Sequence, residues 1–434
     1  MTGSAQSTSP DTTPDTAQAT ARDAGRVVIV GAGLAGFSAA TELRRLGHVG
    51  PITVVDGEPA TYDRPPLSKR LFEDDFTLDS LAFASAAELA DLDIDARFGL
   101  PVTGLTLTSD AAAAGTAGTV TLADGTVLDA DTVLLATGGR ARVLPVPGTD
   151  LPQVGVLRTF TDAEKLRAAV TSGTRVAVVG AGLIGAELAS ALLGQGAEVT
   201  LIDPVAVPLV PAVGELLATH LQAMHAARGI RVVTGTTESI TVVTDGVRVA
   251  VRGADPVIVD RVVVGIGMVP DTRLAEQAGI RCDNGIVVDA AFRTSAPGVY
   301  AAGDVARVQD TDGTLTRREE HWEAAQLAGQ EAAHALLGLP VPARGAGWFW
   351  SDRHGHHLES VGRMAGPGEI VVRPGGDHPT VFLLADGRLV GAAAVDEPKT
   401  IRAARGLIDR GIPVTAGELS DPSVQLRKLL KTKA

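Results

Sequence analysis

Short, unbroken apolar runs recur along this chain: Val27-Val-Ile-Val30, Ile52-Thr-Val-Val55, Thr132-Val-Leu-Leu135, Val176-Ala-Val-Val179, Val199-Thr-Leu-Ile202 and Val262-Val-Val264. Runs of this length with no polar alternation predict strands covered on both faces, as in parallel sheets. Two of them pass through a glycine turn into alanine- and leucine-rich stretches of helical character. Each half then repeats one order: strand, glycine turn, helix, strand, a hairpin-like pair, and a last apolar run. The hairpins centre on Ala123-Asp-Gly125 and Thr244-Asp-Gly246, and the last runs end in Ala136-Thr-Gly-Gly139 and Gly265-Ile-Gly267. The parallelism predicts two related α/β domains over residues 25–147 and 148–268, with crossings at Leu144-Pro-Val-Pro-Gly148 and Met268-Val-Pro-Asp271. The strand-like Gly298-Val-Tyr-Ala-Ala-Gly-Asp304 predicts a return to the first domain over 269–340. A boundary near Leu339-Pro-Val-Pro342 then opens a third segment, 341–434, with apolar runs Val381-Phe-Leu-Leu384 and Leu389-Val-Gly-Ala392 and a helix from Pro398 to Arg410.

The two glycine turns, Gly31-Ala-Gly33-Leu-Ala-Gly36 and Gly180-Ala-Gly182-Leu-Ile-Gly185, fit one physical template. The first glycine permits a tight strand-to-helix turn, the second lets backbone approach a pyrophosphate, and the third lets helix and strand pack closely. The free N–H groups of the helix start face the anion. About 20 residues past the last glycine of each turn the next strand ends in an acid, Asp56 and Asp203, the spacing that meets adenosine ribose hydroxyls. Two dinucleotide sites are therefore predicted. At the second, Asp203 would repel a 2′-phosphate, and no Arg or Lys stands between 204 and 210, so NADH is favoured over NADPH.

Composition narrows the chemistry. The 434 residues allow two or three domains, and 45% hydrophobic with 3% aromatic residues suits Val/Ala/Leu-packed α/β cores. A net charge of -13 argues against nucleic acid or an anionic membrane as partner. The single cysteine, Cys282, excludes an internal disulfide, a CxxC redox pair and an iron–sulfur cluster held by this chain, and reads as structural. No apolar stretch reaches the roughly 18 residues of a membrane span. Residues 1–24, rich in Ser, Thr, Ala, Asp and Pro, predict a disordered tail without signal-peptide character on a cytoplasmic protein. The sequence sets no oligomeric state.

With these motifs placed, the chain resembles the FAD-dependent, NADH-using ferredoxin reductases that serve oxygenases and cytochromes P450. The resemblance runs from about Val27 to the C-terminus. Its most specific piece is Tyr62-Asp-Arg-Pro-Pro-Leu-Ser-Lys69, standing where disulfide reductases of the same fold carry redox cysteines; Ala136-Thr-Gly138, Gly303-Asp304, Glu320-His-Trp-Glu-Ala324 and Trp348-Phe-Trp-Ser-Asp352 accompany it. It implies two Rossmann-like dinucleotide-binding domains of the glutathione-reductase type plus a C-terminal α+β reductase domain. The first α/β domain in its two parts would bind FAD and the second NADH, and electrons would leave singly to an external [2Fe–2S] ferredoxin. The alternatives are an NADH oxidase or diaphorase, or an apoptosis-inducing-factor-like flavoprotein in which NADH regulates association.

Residue by residue, the resemblance implies Gly31, Gly33 and Gly36 on the FAD pyrophosphate and Asp56 or Glu58 on its ribose. Thr137 and Gly138 belong to the FAD site. Arg64 and Arg142 would pair with phosphates or adenosine, Asp304 with a ribityl or pyrophosphate-side oxygen, and Trp322 would lie beside the isoalloxazine at a helix N-terminus. Gly180, Gly182, Gly185, Asp203 and Gly267 would serve NADH. Lys69 and Glu187 would meet near flavin N5 as the catalytic pair, a carboxylate balancing and positioning a buried ammonium. The histidines of Asp352-Arg-His354-Gly-His356-His357 raise a metal reading, but no cysteine or second cluster in the sequence completes a shell, so no metal is expected. Arg307, Arg317, Arg318 and Arg353 are expected to form a local basic patch that receives an acidic ferredoxin.

Overall fold

The computed structural model describes residues 23–108 and 116–432, so most of the predicted tail lies outside the described residues. Three sheets of five strands organise the chain. In the first, Val299–Ala301, Thr132–Leu135, Val27–Val30, Ile52–Val55 and Ile94–Arg97 lie side by side in that order, all parallel. Val27–Val30 and Thr132–Leu135 are buried along their whole length, because helices cover one face and the antiparallel sheet of the same half, with Leu105, Val120 and Leu122, packs on the other. The strand Val299–Ala301, arriving after the whole second sheet, pairs with Thr132–Leu135, so the chain does return to its first sheet.

The second sheet repeats the design with Arg231–Thr234, Glu198–Asp203, Arg175–Val179, Arg261–Val264 and Val154–Val156, again all parallel. Each half carries a three-stranded antiparallel sheet where the hairpin pairs were expected. The second crossing pairs with the strand just before the first: Gly139–Ala141 runs antiparallel to Met268–Pro270 and makes a two-stranded ribbon between the halves.

The helix Leu34–Arg45 follows the first glycine turn and packs on Trp322–Leu336. Their approach is close because Gly329 has no side chain: a Cβ there would fall on the carbonyl of Ala35. The third segment folds as a five-stranded antiparallel sheet, Trp348–Arg353, His356–Gly362, Arg388–Val395, Thr380–Ala385 and Glu369–Arg373. The expected helix spans Pro398–Asp409 and covers one face with Ile401, Ala404 and Leu407. The other face meets the second half through Leu217, Leu221 and Met224 of the helix Glu215–Ala227. This α/β, α/β, α+β arrangement brings the first glycine turn, the second glycine helix and the third sheet together around one cavity.

Candidate functional site

The two glycine turns solve one steric problem in one way. Gly31 and Gly180 sit at φ +105° and +107°, a region closed to most side chains, and a Cβ at either would strike the carbonyl of Ala136 or Gly265. Gly36 and Gly185 lie against the carbonyls of Gly31 and Gly180, so a methyl there would push the helix off its strand. Between them, a Cβ on Gly33 or Gly182 meets nothing within 4 Å, leaving open space over the helix start. The acids are pinned alike. Asp56 accepts from the Ala32 and Glu58 amides at 2.5 and 2.9 Å, and Asp203 from the Ala181 and Val205 amides, both at 2.8 Å. Asp56 is thus the counterpart of Asp203, while Glu58 turns aside to accept from the Tyr62 hydroxyl at 3.0 Å.

A cavity of about 1010 Å³ runs from the first turn to the third sheet. Gly31, Gly33, Asp56, Glu58, Arg64, Lys69, Thr137, Gly138, Glu187, Asp304 and Trp322, all singled out in the sequence, line it. Thr137 is held by its hydroxyl on the Asp271 carbonyl at 2.7 Å. Trp322 opens its helix and donates from Nε1 to Asp63 at 2.8 Å, and burial pushes the Asp63 carboxyl up. Arg64 donates to the Arg158 carbonyl at 2.6 Å, and Arg158 reaches Asp304 at 3.1 Å. Arg158 also lines the cavity and was missed; nothing local in its sequence distinguishes it from a surface arginine.

Lys69 and Glu187, 118 positions apart, meet at 2.6 Å at the inner end of the cavity. Lys69 comes from the short helix Pro66–Lys69, Glu187 from Leu183–Gly194 after the second glycine turn. Glu187 is buried and also accepts from Ser68 at 2.5 Å and Ser351 at 2.6 Å. Asp352 Oδ2 is 3.2 Å from Lys69 on the opposite side, and its Oδ1 is bound to His357 Nδ1 at 2.5 Å. The Asp352 bond holds the His357 imidazole above its ordinary pKa, while Asp352 stays below the usual carboxylate range because His357 and Lys69 outweigh the cost of burial. Trp350 faces Lys69 with its ring centroid 5.8 Å from Nζ. Three regions of the chain thus converge on one ammonium. Ser351 and Asp352 were legible as a motif but carried no assigned role; only the fold shows which partner they face.

Other expected residues stand elsewhere. Arg142 is exposed on the crossing ribbon, donates to the Met268 carbonyl at 3.2 Å and does not line the cavity; Arg140, two positions earlier, does. Gly180, Gly182, Gly185, Asp203 and Gly267 surround the second turn rather than this cavity. The basic patch is corrected. Arg353 is 2% exposed and bonded to Ser351, and Arg318 is buried against the Asp304 carbonyl and Glu320. Arg307 is tied to Asp283, so Arg317 alone of the four is freely exposed. Arg318 and Arg307 are drawn inward by acceptors 14 and 24 positions away, and Arg353 by the strand that buries it beside Ser351. Cys282 donates to the Ile280 carbonyl, and burial pushes its thiol up to about 11, consistent with an inert structural role.

Two nucleotide-type cradles, related by repetition and facing each other across a lysine–glutamate pair, define a two-dinucleotide redox fold. The chain belongs to the pyridine nucleotide-disulphide oxidoreductase family, whose model matches residues 25–332, and a reductase C-terminal model matches 348–430. It is 35% identical to rhodocoxin reductase of Rhodococcus erythropolis, over 92% of this chain and 93% of that protein. It is 36% identical to the biphenyl dioxygenase system ferredoxin--NAD(+) reductase component of Paraburkholderia xenovorans, over 94% of this chain and 98% of that protein. Among solved structures, the covalent putidaredoxin reductase–putidaredoxin complex superposes with a TM-score of 0.86 at 31% identity, covering 95% of this chain and 99% of that one. The ferredoxin reductase for the CYP199A2 system of Rhodopseudomonas palustris gives 0.85 at 30%, covering 93% and 99%.

Proposed function

We infer that this protein is an FAD-dependent NADH:ferredoxin oxidoreductase serving an oxygenase or cytochrome P450, working in the cytoplasm. The observation that carries the reading is the Lys69–Glu187 contact at 2.6 Å between a first-domain helix and the second glycine helix, where disulfide reductases of the family place redox thiols. The only cysteine, Cys282, is paired to a backbone carbonyl and does not line the cavity, so no thiol relay exists there. FAD and NADH fit the residues present: open space over Gly33 and Gly182, an acid locked beside each turn, and a cavity of about 1010 Å³ that runs from the first turn to Trp350 of the third sheet.

Gly31, Gly33 and Gly36 would seat the FAD pyrophosphate, Asp56 its ribose, and Arg64, Thr137, Gly138 and Asp304 the intervening chain, with Trp322 at the ring end. Gly180, Gly182, Gly185, Asp203 and Gly267 would seat NADH. The bound FAD would supply the chemistry, a hydride acceptor for NADH that can release electrons singly. The protein's part is alignment. Glu187, gripped by Ser68 and Ser351, fixes the Lys69 ammonium; Asp352 holds it from the other side; and the aromatic wall of Trp322 and Trp350 excludes water. The test is NADH-driven reduction of a purified [2Fe–2S] ferredoxin, followed through cytochrome c. Turnover dependent on both NADH and ferredoxin supports the reading, and flavin that NADH reduces but that ferredoxin never reoxidises overturns it.

A further inference from the structure

Five of the nine histidines of this chain, His220, His225, His354, His356 and His378, gather where the third segment meets the helix Glu215–Ala227. The sequence shows only the local cluster at 354–357; folding adds His220 and His225 from the helix Glu215–Ala227 and His378 from the turn before Thr380–Ala385. Within this group one ring nitrogen of His356, one of His378 and a carboxylate oxygen of Asp396 lie within 4.8 Å of one another. The two histidines edge a small groove of about 380 Å³ bordered also by His220, Arg228 and Asp377.

The protonation pattern of the group leaves a lone pair unused. His220 Nε2 and His378 Nδ1 are 2.6 Å apart, a distance that requires one proton between the two rings. When that proton sits on His378 Nδ1, His378 Nε2 is an acceptor, and it is buried without a hydrogen-bond partner. His378 is only half-buried, yet its Nε2 atom is shielded from solvent without a partner, and two imidazoles and a carboxylate whose ligand atoms lie within 4.8 Å of one another make a donor set for a borderline divalent ion. His356 already has Nδ1 on Asp396 at 2.8 Å, and its Nε2 faces the exposed Arg228 guanidinium at 3.2 Å.

We propose that His356, His378 and Asp396 form a binding site for one divalent transition-metal ion of the zinc, cobalt or nickel class, with His220 orienting His378 from the neighbouring domain. Ligands about 2 Å from a tetrahedral ion stand roughly 3.4 Å apart. The present spacing closes to that by side-chain rotation, with Arg228 swinging outward into solvent. His220 plays the part that a carboxylate plays behind many metal-bound histidines, fixing the tautomer through the other ring nitrogen. Because His220 belongs to the second half and the three ligands to the third sheet, an occupied site staples these two domains together at a point away from the hydride path.

The test uses the untagged, FAD-loaded full chain, stripped with EDTA and dialysed against zinc chloride. One zinc per chain is expected, with a rise in Tm. Cobalt(II) in its place should give the absorption bands of a low-symmetry site containing nitrogen ligands. His356→Gln and His378→Gln should each weaken zinc binding by at least tenfold and abolish the rise in Tm. His220→Gln should weaken it about tenfold, as for loss of an orienting partner. NADH–ferricyanide turnover, which needs none of these residues, should be unchanged in all three and so reports an intact fold. Absence of stoichiometric zinc in the wild-type chain overturns the proposal, as does a loss smaller than tenfold in the His356→Gln, His378→Gln double variant.

Discussion

Replacing Glu187 with Ala should reveal how the ammonium at the cavity's inner end is held. The carboxylate accepts three bonds at 2.5–2.6 Å, from Ser68, Lys69 and Ser351. Removing one member of a buried ion pair costs about 3–5 kcal/mol because the survivor stays desolvated. Here Asp352, 3.2 Å from Lys69 and 40% exposed, still compensates in part, which places Glu187→Ala near the low end, about 3 kcal/mol. Lys69→Ala leaves Glu187 with two hydroxyl donors and the nearby Arg353 guanidinium, so about 2 kcal/mol is expected. Independent sites would then cost about 5 kcal/mol together, whereas contacting residues couple by about 1–3 kcal/mol and the double variant should cost about 3. Stopped-flow reduction of the bound flavin by NADH should follow the same logic. Each single change misaligns the site and slows reduction by about 100-fold. The double should be slowed by little more than that, far less than the product. Denaturant unfolding and flavin reduction that are both additive within about 0.5 kcal/mol would refute a shared role for the pair.

Coenzyme choice should follow Asp203: the wild type should use NADH well over NADPH, and Asp203→Ala with Val205→Arg should narrow the ratio of kcat/KM by about tenfold or more, since a like-charge repulsion is replaced by attraction. Gly36→Ala should purify largely without flavin, because its methyl would meet the Gly31 carbonyl, while Gly33→Ala should fold normally and only weaken FAD, a contrast read from the flavin-to-protein absorbance ratio. His225 is fully buried, with its imidazole pushed down to about 3 by burial and by the Arg353 charge. The unfolded chain binds this proton near pH 6.5 and the folded chain does not, so stability is complete above 6.5 and falls as pH drops toward 3, by about 2 kcal/mol at pH 5. His225→Gln, measured by urea unfolding in EDTA, should flatten that slope. Arg317→Glu should alter ferredoxin reduction and its salt dependence only, whereas Arg353→Glu, placing a carboxylate beside buried Glu187, should impair flavin reduction by NADH itself.

Repetition made the fold legible. Strand runs such as Val27–Val30 and Val176–Val179 are buried on both faces, and that burial is written directly into their composition. The return of Val299–Ala301 to the first sheet was legible for the same reason. Lys69 and Glu187 were legible because each sits at a fixed offset inside a motif whose backbone path is constrained. Arg353 was misplaced because an arginine beside a histidine-rich turn looks solvent-facing, and only the pairing of Trp348–Arg353 with His356–Gly362 turns it inward to Ser351. Arg158 and the His220–His378 contact were invisible for a plainer reason. Their partners lie 146 and 158 positions away, and no local spacing encodes such a meeting.

The central claim concerns where the electrons go, and a single-turnover experiment measures it most directly. Enzyme reduced anaerobically with one equivalent of NADH is mixed in a stopped-flow with two equivalents of oxidised [2Fe–2S] ferredoxin, while flavin and cluster absorbance are followed together. The account predicts that both ferredoxins are reduced in step with flavin reoxidation, and that Lys69→Ala slows the preceding NADH step without changing this stoichiometry. Flavin that stays reduced with the ferredoxin still oxidised, yet reoxidises rapidly when air is admitted, would contradict it and identify an oxidase instead.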